Sequence, residues 1–367
     1  MANYFGSGAD GNLTVSSDTE LTAVEDGQYL VKNYDTLVID AGYKLTTDVR
    51  CKGLFLYVKG DCTINGELSM SLRGASADPV ADGVSATGIR LRMEKSGDTE
   101  SLANPDFAGC GANIISAVAN QSGISSNGVI MEIVRTGGTG GTGGNGNSST
   151  EDDGDTGGTI ANGLGGGGGG GSSRYGATAG TGGIATCFSG GPGGGGTTDP
   201  DGGNYSSTAK GSDTGGAGGP AKGSSSNHTA YGSTGGNGNP GGAGYSGGSA
   251  GQDGTGGVIW LIVGGDLTFG ASAVVSADGI GGTVSVGGGT YSVGIGGASG
   301  GGAVKIAYAG SLTDNGVDIS VDGGIIADFP TEIDGRGGAG GAGTYEILQV
   351  DAGPSGAVFK GRAIIAV

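Results

Sequence analysis

The chain of 367 residues contains 93 glycines and carries a formal charge of −18, from 35 acidic against 17 basic residues. Glycine brings no side chain to a core, and ordering each backbone unit costs about 1–2 kcal/mol, so side-chain burial cannot hold such a chain together throughout. With no cluster of Lys or Arg, the acidic balance repels phosphate backbones and anionic membrane surfaces, which excludes nucleic acid as an expected partner.

The chain has no apolar run long enough to span a membrane, and residues 1–11 lack the basic region and apolar stretch of a secretory signal. The expectation is a protein made in the cytosol and held there until release. Cys51, Cys62, Cys110 and Cys187 show no metal-ligand spacing, and in a reducing compartment they read as buried free thiols. A Cys51–Cys62 bridge across adjacent strands is the alternative.

Residues 1–135 have an ordinary glycine content and read as a β-rich domain. Strands are predicted over residues 37–40, 54–59 and 129–134, each rich in Val, Ile, Leu or aromatic residues and bounded by Gly or Asp. Helix signals are nearly absent; residues 89–95 give the one short helical turn.

Residues 136–257 change character, with 49 glycines in the 121 positions from 137 to 257. Gly137, Gly140, Gly143 and Gly146 recur at a spacing of three, as do Gly235, Gly238, Gly241, Gly244 and Gly247, and Gly138, Gly141 and Gly144 keep a second register. Three residues per turn is the period of the polyproline II helix, which makes no internal hydrogen bonds. The tract therefore reads as a bundle of antiparallel polyglycine II helices bonded to one another through their backbones. The competing reading is a flexible Gly/Ser linker. Segments with side chains interrupt the runs at 151–155, 172–175, 184–188, 197–210 and 224–231 and are the natural turns at the bundle ends.

Residues 258–367 form a third, β-rich region with a repeat. Val258-Ile-Trp-Leu-Ile-Val263 leads into Gly265-Asp-Leu-Thr268 and Val275-Ser-Ala-Asp-Gly279, and 45 residues on the same pattern recurs through residues 304–323. Residues 54–74 share it. Each unit reads as a strand, a tight turn and a second strand, stacked in a sheet or β-solenoid with polyglycine excursions between strands. Residues 54–74 and 258–323 would then lie side by side. The fold class expected is all-β with polyglycine II helices and almost no α-helix.

Motifs suggesting chemistry are explained by composition. Two G-x-S-x-G matches, around Ser246 and Ser299, lie outside any strand-to-helix turn, and the G-x-G-x-x-G matches open no amphipathic helix. His228 is the sole histidine, so a multi-His metal site is excluded. The carboxylates at Glu151, Asp152, Asp153 and Asp155 follow no calcium-binding pattern. No catalytic residue, metal or cofactor is assigned, and the chain reads as non-enzymatic. The candidate binding residues are Tyr175, Phe188, Tyr205, His228, Tyr231 and Tyr245. The aromatics among them lie in loops of Ser, Thr, Asn and Gly like those of antibody paratopes; the alternative is that they cap and shield the bundle ends.

The opening Phe5-Gly-Ser-Gly-Ala-Asp-Gly-Asn-Leu-Thr-Val15, with Val31-Lys-Asn-Tyr34, Leu37-Val-Ile-Asp-Ala-Gly42, Arg50-Cys-Lys-Gly53 and Gly60-Asp-Cys-Thr-Ile-Asn-Gly66, resembles the start of glycine-rich bacteriophage virion proteins. The interrupted glycine tract is similar to the polyglycine sandwich of tail-fibre adhesins of T-even-type phages. That resemblance covers about a third of the chain, by composition and period, and the chain departs from it in the long β-rich repeat after the tract. It implies a virion protein, assembled in the host cytoplasm, that contacts other virion proteins through residues 1–135. The partner at the other end would be a surface glycan or outer-membrane receptor, and the assembly a monomer or a trimer. A capsid fibre or decoration protein is the alternative; an ice-binding protein or a polysaccharide depolymerase are further ones.

Overall fold

The computed structural model describes residues 5–22, 29–51, 53–75, 89–92, 132–135, 140–142, 144, 151–159, 165–170, 173–174, 181–183, 185, 189–198, 235–239, 241–242, 250–281, 296–326 and 337–349. All regular structure among them is β. The strands are β1 (Asn12–Val15), β2 (Thr19–Leu21), β3 (Tyr29–Tyr34), β4 (Thr36–Ile39), β5 (Lys44–Thr47), β6 (Gly53–Val58), β7 (Cys62–Ile64) and β8 (Glu67–Ser69). They continue as β9 (Ile89–Arg92), β10 (Glu132–Arg135), β11 (Glu151–Asp152), β12 (Ser173–Arg174) and β13 (Thr197–Thr198). After the glycine tract come β14 (Val258–Val263), β15 (Leu267–Phe269), β16 (Val274–Ser276), β17 (Ala303–Tyr308), β18 (Leu312–Asp314), β19 (Asp318–Ser320) and β20 (Thr344–Gln349).

Three five-stranded sheets, parallel throughout, form the body. Sheet I runs β1-β4-β7-β15-β18, sheet II β2-β5-β8-β16-β19 and sheet III β3-β6-β14-β17-β20. Each pass of the chain adds one strand to sheet III, then one to sheet I, then one to sheet II. A pass thus contributes three strands where the sequence predicts two: the short Leu-Thr-Phe and Val-Val-Ser segments of the 258–279 repeat are separate strands divided by a turn at 270–273. Residues 54 and 259, far apart in the chain, are register partners, as are Cys62 and Leu267.

Hydrophobic pattern explains the layers. Along β14, Ile259, Leu261 and Val263 enter a core shared with Leu54, Leu56, Val58, Val304 and Ile306. The alternate residues Trp260 and Ile262 are equally inaccessible. A strand buried on both faces needs a continuous apolar run, and Val-Ile-Trp-Leu-Ile-Val supplies it. Sheet I alternates instead, with Leu37 and Ile39 buried and Thr36 and Val38 half-buried. Phe55 and Trp260 are register partners on sheet III, their ring centroids 6.1 Å apart.

Carboxylates at the corners fasten one pass to the next. Asp61 accepts the Asp266 N–H at 2.9 Å, and Asp266 accepts the Ser311 N–H at 2.7 Å. Asp278 accepts from the Ser71 and Ser320 hydroxyls and from the Asp322 N–H. Since a one-residue slip would break these bonds as well as turn the strand inside out, they help to set register.

Two local expectations change. Residues 89–92, predicted as a helical turn, form a strand paired antiparallel to β10, with Arg92 opposite Glu132. The Ile-Arg-Leu-Arg alternation has the period of two that suits a strand. The predicted strand at 129–134 is described from Glu132 and extends to Arg135. Cys51 and Cys62 are both free and buried, so they form no bridge; Cys110 and Cys187 lie outside the described residues.

Burial pushes the Cys62 thiol up from 9.0 to about 12, and burial together with nearby Asp10 pushes the Tyr34 hydroxyl up to about 12. The folded chain keeps protons that the unfolded chain releases, so this contribution is complete below about pH 9 and is lost as pH rises towards 12. Urea unfolding midpoints are expected to fall across that window, and Cys62→Ala should flatten the slope whatever it does to the baseline. Within the core, Leu261→Ala should cost about 2–5 kcal/mol, checked by chemical denaturation.

Candidate functional site

The glycine segments pack mainly by backbone contact, with a few Asn, Ser and Asp side chains adding to it. Residues 165–170 show the rule. Gly166 and Gly169 donate to Gly301 and Ala298; Gly167 and Gly170 donate to Gly158 and Asp155; Gly168 donates to Gly183. In return Gly191 and Gly194 donate to Gly166 and Gly169, Gly341 and Gly338 donate to Gly167 and Gly170, and Gly141 donates to Gly168. Residues three apart therefore face the same neighbour, and this one segment is bonded to six others. All six of its residues are buried. A Cβ on Gly168 would fall far inside van der Waals contact with the Pro192 carbonyl, and one on Gly169 would strike that of Gly338. Close approach, not unusual φ, is what requires glycine at these positions.

The same bonds give direction. Segment 189–196 runs parallel to 165–170, whereas 153–158, 296–302 and 337–343 run antiparallel to it. The last two lead straight into β17 and β20, so their C-terminal ends define a near end beside sheet III. Towards the far end lies a level at which Gly338 donates to Gly170, Gly170 to Asp155 and Gly297 to Gly194. Just beyond it lie β11, β12 and β13, which pair as a small sheet, β11 antiparallel and β13 parallel to β12. Three of the interruptions in the glycine tract are thus gathered at one place.

A polar seam ties the bundle to the β body and to the chain leaving it. Asn237 Nδ2 donates to the Gly281 carbonyl at 2.7 Å while its Oδ1 accepts the Gln252 N–H at 2.8 Å. Asn239 Nδ2 donates to the Gly74 carbonyl, and its Oδ1 accepts from Arg50 at 3.3 Å. Ser299 Oγ donates to the Gly254 carbonyl at 2.6 Å and accepts the Ile280 N–H at 2.8 Å. That hydroxyl, the center of one G-x-S-x-G match, is fully buried and engaged with backbone. These asparagines were not singled out from the sequence; the signal was Gly-Asn-Gly-Asn-Pro at 236–240, two amides at alternate positions within a glycine run.

Tyr175, Phe188, Tyr205, His228, Tyr231 and Tyr245 all lie outside the described residues, as does Ser246. The described chain flanking Tyr175 is Arg174 and Thr181; that flanking Tyr205, His228 and Tyr231 is Thr198 and Gly235; that flanking Tyr245 is Gly242 and Ala250. Arg174 and Thr198 belong to the small far-end sheet. Phe188 is flanked by Ala185 and Ser189, and Gly190 donates to Gly256 immediately before β14, which places that flank at the near end. Among the described residues, no group of three or more His, Cys, Asp or Glu is placed to hold a metal ion.

Two substitutions probe this packing. Gly168→Ala should strip amide-exchange protection from Gly141, Gly168 and Gly183 while the strand amides of β6 and β14 keep theirs. Asn237→Ala, which removes two part-buried hydrogen bonds to backbone, should cost about 1–3 kcal/mol, read from the thermal midpoint. No family model matches the chain, and neither a curated protein nor a solved structure matches it.

Proposed function

We propose that the chain is a non-enzymatic structural protein of a phage virion, a tail fibre or receptor-binding adhesin whose glycine-tract loops contact the host surface. In this reading the three-sheet body is a β-solenoid and the glycine segments are polyglycine II helices. Support for the solenoid comes from the cyclic order in which each pass adds one strand to each sheet. Support for the helices comes from the three-residue recurrence of bonds between segments and the six neighbours of residues 165–170. Residues 1–135 would attach to other virion proteins, 136–257 would form the displayed bundle, and 258–367 would pack with the N-terminal region.

The observation that carries the functional reading is the gathering of residues 151–152, 173–174 and 197–198 into one small sheet at the end of the bundle away from sheet III. Loops fixed at their roots lose less freedom on binding, which favours recognition by a short set of rigid aromatic contacts. Tyr stacking on sugars with hydroxyl and amide hydrogen bonds suits a glycan or an outer-membrane receptor, while the −18 charge disfavours anionic surfaces. Binding in this reading is reversible and non-covalent.

Replacement of residues 197–210 and 224–231 by unrelated loops tests it. Adsorption of the particle to host cells should drop by at least about tenfold, which corresponds to about 1.4 kcal/mol, while virion assembly is retained. Unchanged adsorption removes the adhesin role, and antibody labelling of the head rather than the tail would assign a capsid fibre instead.

A further inference from the structure

We draw no further inference here: the strongest candidate, the outward register row Thr14–Val38–Thr63–Thr268–Thr313 on sheet I, is a stripe of small residues on an unpartnered sheet face, and nothing in the structure shows what covers it.

Discussion

A buried amide must find a hydrogen-bond partner, and for the glycines at 166–170 that partner is another stretch of backbone. Residues 165–170 meet this demand with six neighbours, four of them bonded at two positions three residues apart and two through Gly168. The arrangement depends on the missing Cβ: carbonyl oxygens occupy the space where a side chain would begin. Hydrogen bonds, each with a small net contribution, thereby take the place that apolar burial holds in an ordinary core. Loss of one glycine in such a layer disturbs two segments at once, because the intruding atom and the displaced carbonyl belong to different ones.

The β body is stabilised differently, by a continuous apolar interior and by carboxylates that accept N–H groups from the following pass. The two modes meet at a narrow seam. Gly190 and Gly256, Gly256 and Gly300, and Gly302 and Ala277 are bonded across it, and the side chains of Asn237, Asn239 and Ser299 add directional contacts where glycine has none to offer. Because 250–257, 296–302 and 337–343 run directly into β14, β17 and β20, strand register in sheet III and segment register in the bundle are mechanically coupled. A bundle rooted in this way on a packed sheet suits the proposed display role, since loops leaving it start from fixed positions.

Much of the body was legible in the sequence. The apolar runs at 54–58 and 258–263 and their repeat from Val304 announce strands, and the shared Gly-Asp-x-Thr turn of 60–63 and 265–268 anticipates the pairing of Cys62 with Leu267. Triplet glycines announce a three-residue period, and the hydrogen bonds of residues 165–170 recur at that interval. These features are local, or they repeat, so a single strand of text contains them.

What tertiary structure alone decided are the relations between segments that carry little signal of their own. Two-residue strands at 151–152, 173–174 and 197–198 are too short to have a periodicity, and they exist only because bundle geometry brings their ends together. The third strand of each pass is also short, three or four residues long, and Ile89–Arg92 becomes a strand beside Glu132–Arg135 rather than a helical turn. Asn237 and Asn239 look like any other turn residues until Gly281 and Gly74 stand opposite them. The sequence by itself determined which residues are able to lie close and which must be buried. Partner choice among chemically identical glycine backbones came only from the fold, because a peptide group carries no label that tells one neighbour from another.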